Sequence, residues 1–551
     1  MPQNPRCLVS GLEFSISEFE AEYCRANNIP LPRQSPTERL RALLAFRNRS
    51  KLYRRESDYT GDLVLSGIPP EADVVVYEID YWASHDWDAR DYGRDYDFKR
   101  PFFEQFAELF SSVPLPDRAV VHSRMENSDY TNGITGAKNC YLIFASSRNE
   151  DCMFGQYLID CRNVVECVCA INCELCFDCE DVHDCYNLKF SSHCISCSDS
   201  YFLSNCVGCS NCFGCVNLSH QEYCFYNEPL SKDEYLSRLN GIELGSFVQL
   251  KHAKAQFQEY FQQFPIKSYF GRQAYESTGN YLYNTKNCKS SYFVSDGEDL
   301  EHCICVDGAK NSICYTYYGN DSELIYNTGN SGDGAYNLKF CVDCWPTCSD
   351  LEYCMFTGYG SQNCFGCVGL KKAKYCILNK QYSKTEYFDT LKRVLAHMRS
   401  TGEYGMFFPS SLSPYYYNHS DAMQFLPLKP EDALRRGFGW ESAEDASVES
   451  HYSVPDHIAD VDDGVLGAVL RCEKSGRPFK IIRQELEYYR SNNLPLPRVS
   501  PMARLRERLK FFNIHPVREA VCAKTGESIL TAQDPYREHI YSEEAFQQEF
   551  F

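Results

Sequence analysis

Cysteine returns at a fixed step through the middle of this chain. Cys167, Cys176, Cys185 and Cys194 lie nine residues apart, and Cys197, Cys206, Cys215 and Cys224 form a second such series. Asn139, Asp151, Asp160, Asn172, Asp178, Asp184, Asn205 and Asn211 each stand directly before a cysteine. Asn and Asp accept the left-handed and turn conformations that a corner requires, while the next side chain points inward. A helical reading fails, because Gly, Asn, Asp and Ser interrupt every few residues and no 3.6-residue face survives. The pattern predicts a β-solenoid with an interior ladder of thiols. Nine residues is short for a full rung and would suit half of one. Each buried thiol contributes on the order of 1 kcal/mol at about 25 cal/mol per Å².

The chain also repeats itself at long range. YNLKF at Tyr186–Phe190 returns at Tyr336–Phe340, and NCFGC at Asn211–Cys215 returns at Asn363–Cys367. Lys138–Asn139–Cys140 likewise matches Lys286–Asn287–Cys288. An outer pair encloses this one. Cys7, Ser10, Gly11 and Phe14 match Cys472, Ser475, Gly476 and Phe479, and Pro30, Pro32 and Arg33 match Pro495, Pro497 and Arg498. The predicted fold is mainly β: two tandem cysteine-laddered parallel β-solenoids with helical caps, flanked by degenerate zinc-ribbon-like α+β modules.

The expected divisions are a ribbon-like module over 1–75, an aromatic-rich linker and capping helix over 76–120, and a first solenoid over 121–265. A second solenoid over 266–400, an acidic linker over 401–465 and a second ribbon-like module over 466–551 complete the chain. Ser231-Lys-Asp-Glu234 and Ser383-Lys-Thr-Glu386 read as capping boxes, placing a helix after each solenoid. Phe98, Phe102, Phe103, Phe106 and Phe110 share one helical face, suited to covering the other end of the stack.

The start MPQNPRCLVSGLEFSISEF has neither a basic segment nor an apolar core, so no secretory signal is expected. No run of eighteen apolar residues exists, so no membrane span is expected, and the expected address is the cytoplasm. In a reducing compartment the 31 cysteines should be free thiols or metal ligands. A net charge of -20 argues against broad phosphate-backbone binding, so nucleic acid is not an expected partner.

Cys206, Cys209, Cys212 and Cys215, with two residues between each and the next, form the sharpest metal-like motif, with Cys173, Cys176 and Cys179 a second. Such thiolates suit zinc, copper(I) or an iron–sulfur cluster. At an offset of 152, however, Cys206 and Cys209 become Gly358 and Ser361, which a structural ladder tolerates and a four-thiolate site does not. The knuckle positions of the terminal modules read Cys7, Ser10, Ser57 and Thr60, then Cys472, Ser475, Cys522 and Thr525. Neither set offers the four ligands of a zinc ribbon, though Cys472 and Cys522 remain candidates. The expectation is no cofactor, with zinc or iron–sulfur as the alternative.

Arg39, Arg41, Arg47, Arg49, Lys51, Arg54 and Arg55 form one basic stretch, which could touch phosphates but better fits a solvated helix face. Tyr81, Trp82, Trp87, Tyr92 and Tyr96 could stack on sugars or bases, though packing between domains fits better. No phosphate loop, nucleophile elbow or His–carboxylate motif stands out, so no catalytic residue is named.

PLPR-x-SP at Pro30–Pro36, RN-x2-KLYRR at Arg47–Arg55 and DYGRDYDFKRPFFEQF at Asp91–Phe106 resemble an uncharacterised family of long cysteine-rich proteins from candidate-phyla bacteria (Patescibacteria). NSDYTN at Asn127–Asn132, KNCYLIF at Lys138–Phe144 and EDC at Glu150–Cys152 extend the resemblance over most of the chain. Members of that family usually keep their ribbon cysteines and are often labelled CoA-transferase-like; the resemblance implies no known activity. The functional expectation is a non-enzymatic scaffold or protein-binding platform, acting through a protein partner or self-association. The alternative is soft-metal binding or storage.

Overall fold

A computed structural model describes residues 4–442 and 452–551. Its body is a parallel β-solenoid whose unit is shorter than the cysteine spacing suggests. From Asn139 to Tyr157, Asn139, Leu142, Ala145, Arg148, Asp151, Phe154 and Tyr157 all take φ of 47–58°. A left-handed corner thus recurs at every third residue, with two extended residues between. Register sets the rung: Gln156 pairs with Val168, Val168 with Glu180 and Glu180 with Ser192, each parallel and twelve residues on. A rung therefore has four sides and four inward side chains. The nine-residue series is three sides of this square, not half a rung.

The residue after each corner points inside. Cys161, Val164, Cys167, Ala170, Cys173 and Cys176 are all buried at successive three-residue steps. The bore is narrow, so it takes Cys, Val, Ala, Ser and an occasional Leu. Thiols serve twice there, filling volume and donating to the backbone. Cys173 lies 3.3 Å from the Ile171 carbonyl and 3.4 Å from that of Val182. At the corners, Asn and Asp bond up the stack: Asn172 to Asp184 at 2.7 Å, Asn187 to Asp199 at 2.8 Å, Asn205 to Asn217 at 2.8 Å. Larger residues also occupy left-handed corners, which costs each about 1–2 kcal/mol. Stacking offsets part of this, as between Phe190 and Phe202 with ring centroids 4.9 Å apart.

Rungs form two stretches, joined by the helices Lys232–Asn240 and Phe247–Phe261. The second stretch widens midway: Ile313 pairs with Tyr326 and Ser349 with Gln362, thirteen residues on, before Gln362 returns to twelve with Lys374. The extra residue sits at one corner, where the inward pairs Ser331 and Ala335, Cys344 and Cys348, and Thr357 and Ser361 are four apart.

Both capping boxes form, at Ser231 with Glu234 and at Ser383 with Glu386. Their helices close the stacks through Tyr235 on Tyr223 and Tyr387 on Tyr375, centroids 5.8 and 5.7 Å apart. The Phe-rich helix Phe102–Ser112 does not cover the opposite end. It lies on the flank of the second stretch, with Phe102 5.3 Å from Tyr353 and 5.5 Å from Phe365. Gly366 makes that approach possible, since a Cβ there would come within 2.8 Å of the Phe102 ring.

Part of each terminal segment docks on the more distant stretch. Tyr23 stacks on Tyr326 at 5.3 Å, while Tyr488 packs against Phe177 at 5.6 Å. Arg39 pairs with Glu20 at 2.6 Å, and Arg504 with Glu485 at 2.9 Å. The basic stretch is therefore no solvated helix face: Arg39, Arg41, Arg47, Arg49 and Arg55 are buried. The acidic linker expected over 401–465 also differs. Phe407, Phe408, Tyr417, Phe425 and Phe438 bury themselves in the core, and Ile458, Val461 and Val465 do so beyond it. Residues 443–451 of that expected linker lie outside the described residues.

Candidate functional site

Twelve-residue rungs align corners into columns, and two columns face each other. One holds Gly133, Ala145, Tyr157, Cys169, Asp181 and His193; the other holds Tyr281, Phe293, Cys305 and Tyr317. They meet through direct contacts. Tyr283 donates to Asp181 at 3.1 Å, and Cys305 lies 3.7 Å from the Tyr157 hydroxyl. Between them opens a cleft of about 690 Å³, walled by both stretches.

Two arginines of the chain segment after the helix Pro36–Ala45 form its floor. Arg49 is held on three sides. Its guanidinium carbon lies 4.7 Å from the Tyr157 ring centre and 4.0 Å from that of Tyr317, and Nη2 is 2.7 Å from Asp421 Oδ2. Asp421 itself is fixed by its N–H to the Arg47 carbonyl at 2.8 Å. Arg47 is held more loosely, its Nε 3.8 Å from Asp421 Oδ2 and its carbon 4.9 Å from Tyr317. Nη1 of Arg47 and the Tyr317 hydroxyl are buried without a hydrogen-bond partner among the described residues.

At the other end Asp181 accepts from three groups: His183 at 3.1 Å, His193 at 3.0 Å and Tyr283. Burial resists ionisation of Asp181, but the two imidazoles outweigh it and hold its carboxyl below the usual range. Burial also resists protonation of His183, and Asp181 again prevails, raising the ring's pKa. His193 lies flat on Phe270, centroids 3.8 Å apart, and so acts as packing as well as partner. Cys169 and Cys305 are the two cysteines that are not fully buried, and both line this cleft. Burial raises both thiols, Cys305 to about 12, so neither is an activated nucleophile.

The metal-like cysteines lie elsewhere. Cys206, Cys209, Cys212 and Cys215 are the four inward residues of one rung, and Cys173, Cys176 and Cys179 are three of another. Each of the four thiols reaches a backbone carbonyl, as Cys212 does to Ser210 at 3.2 Å and Cys206 to Ser204 at 3.5 Å. Burial pushes the Cys206 thiol well above its ordinary pKa, whereas hydrogen bonds from neighbouring thiols lower Cys209 and Cys215 of the same rung. Cys472 and Cys522 sit in separate hairpins, taking the N–H of Ser500 at 3.2 Å and of Ser542 at 3.3 Å. Burial opposes their ionisation, yet hydrogen bonds from Ser475 and Thr525 among others bring both thiols down to about 7. Cys7 repeats the arrangement with Ser35 at 3.3 Å. Among the described residues no group of three or more His, Cys, Asp or Glu is arranged to hold a metal ion.

The aromatic cluster packs between segments, with Lys371 Nζ 4.5 Å from the Trp82 ring and 4.8 Å from that of Trp87. Sequence reasoning saw Arg47 and Arg49 but set them in solvent, and it missed the Asp181 cluster. The signal was present: Asp181 and His193 are one rung apart. No protein-family model and no curated protein matches the chain.

Proposed function

We propose that the protein is a non-enzymatic, cytoplasmic binding platform whose binding locus is the cleft between the two solenoid stretches. One observation carries this reading: Arg47, on the cleft floor, has a buried Nη1 without a hydrogen-bond partner among the described residues. Such a donor costs about 1–3 kcal/mol unless something pairs with it. A volume of about 690 Å³ suits a small molecule. The two stretches are read as an internal duplication, and the terminal modules as degenerate zinc ribbons that frame it.

Ser295 lines the cleft on the second stretch, so Ser295→Trp would fill it. Native mass spectrometry after equilibration with a desalted cell extract should show wild-type protein retaining a small molecule and the variant losing it. Equal retention by both, or none by wild type, would sink the reading. Soft-metal binding or storage is the second reading, motivated by the four inward thiols of the Cys206–Cys215 rung. Elemental analysis of protein purified without added metal separates the two: near-zero content favours the platform, several equivalents the metal.

A further inference from the structure

The cleft is chemically lopsided, and the lopsidedness names its ligand. Asp421 is one carboxylate set against two arginines, and Arg49 takes the short contact, 2.7 Å against 3.8 Å for Arg47. A second carboxyl, Asp343, also feels Arg47 and Asp421, but burial pushes it up to about 7, so it neutralises only part of the surplus. Arg49 is further immobilised between Tyr157 and Tyr317, and Nη1 of Arg47, like Nε and Nη2 of Arg49, is buried without a hydrogen-bond partner among the described residues. Gly133 lies beside Arg47, a Cβ there coming within 3.2 Å of the Ala145 backbone and 3.6 Å of Arg47 Nη2. The Tyr317 hydroxyl adds another buried polar group without a hydrogen-bond partner among the described residues. A guanidinium and a phenol together ask for an acceptor-rich, negatively charged group.

The wall beyond is aromatic. Tyr318 and Trp345 line the cleft half-buried, ring centroids 6.3 Å apart and planes 30° apart, with Arg47 5.8 Å from the Tyr318 ring centre, so a charged end on Arg47 lies beside an aromatic surface. Asp307 and Asp333 also line the cleft. Their charge disfavours a ligand with several negative groups along its length and leaves room for one.

We infer that the cleft takes a small organic anion with a single acidic group, a carboxylate or phosphate monoester on a flat ring, with its charged end on Arg47 and its ring against Tyr318 and Trp345. The inference rests on the reading of the cleft as a binding site and adds the ligand's chemistry to it.

Isothermal titration of the full chain tests this with phenyl phosphate and benzoate as the two anion arms. Phenol and inorganic phosphate are the separated halves. At least one ring anion should bind with one-to-one stoichiometry, and about tenfold or more tighter than either half. Arg47→Gln should weaken it about tenfold or more, consistent with loss of a charge-assisted bond. Trp345→Ala, at a half-buried position, should weaken the ring anions and phenol while leaving inorganic phosphate unchanged. Should Arg47→Gln not fold, Arg47→Lys keeps the charge and should still lose affinity through the lost planar fork. Unchanged affinity in the Arg47 variants, or inorganic phosphate binding as tightly as phenyl phosphate, would overturn the inference. If neither ring anion binds wild type while the extract experiment still shows a retained molecule, the ligand class is wrong and the platform stands. If both experiments fail, the platform falls as well.

Discussion

Arg49 lies face-on to Tyr317, its guanidinium carbon 4.0 Å from the ring centre, and this contact ties the N-terminal segment to the second solenoid stretch. The same guanidinium lies 4.7 Å from the ring centre of Tyr157 on the first stretch. One side chain thus bridges three parts of the chain. With Asp421 fully buried as its counter-ion, removal of the cation leaves that charge only the longer contact to Arg47 at 3.8 Å. Arg49→Met should destabilise by about 3–5 kcal/mol. Adding Asp421→Asn should recover a good part of that. Denaturant titration of the two singles and the double measures the coupling, and strictly additive losses would mean that the pair is not one unit.

The thiol ladder makes a different prediction. Ser already occupies inward positions in this fold: Ser200 donates to the Ser198 carbonyl at 2.7 Å, and Ser361 to that of Gly358 at 2.7 Å. A hydroxyl at Cys209 or Cys212 would find the same kind of acceptor. Replacing both with Ser should cost about 1 kcal/mol per site and leave a folded protein with unchanged metal content. A wild type that carries stoichiometric metal, lost in the double variant, would show the rung to be a metal site.

Much of this fold was legible because the corner and interior residues are chemically distinct. Asn172 before Cys173 declares a left-handed residue followed by an inward one, and the repetition gives a solenoid. The rung length was not legible, because inward Val164, Ala170 and Val182 fill the bore as well as Cys does and hide the three-residue step behind a nine-residue one. The cleft was hidden for a related reason. Tyr157, Cys169 and Asp181 share nothing but their spacing, and only stacking makes them neighbours. Arg47 and Arg49 were misplaced because charge density on a chain segment says nothing of a buried Asp421 nearly four hundred residues away.

The helix Lys384–Thr401 closes the second stretch through a reciprocal cap, with Glu386 N–H to Ser383 Oγ at 3.3 Å and Ser383 N–H to Glu386 Oε2 at 3.1 Å. Ser383→Ala removes one half and should cost about 1 kcal/mol. Ser383→Asp keeps an acceptor and should stay close to wild type. Thermal melts of the two variants check this, and an alanine variant as stable as wild type would show that Tyr387 packing alone fixes the helix.

Asp343 supplies a pH test beside the cleft. Burial is the main influence on its carboxyl and lifts it from an ordinary value near 4 to about 7, with Arg47 opposing and Asp421 assisting. Between these two values the native protein holds a proton that the unfolded chain has released. The stability contributed by this group is therefore present in full near pH 4 and is lost as pH rises through 7. Asn at this position is neutral throughout, so Asp343→Asn should gain on wild type as pH rises from 4.5 to 8. Complete burial would make the gain about 4 kcal/mol, and partial exposure of the residue reduces it to about 1–2 kcal/mol. Chemical denaturation of both proteins at pH 4.5, 6, 7 and 8 measures the difference directly. A constant difference across that range would mean that Asp343 is ionised throughout and that its charge already has a partner at the cleft floor.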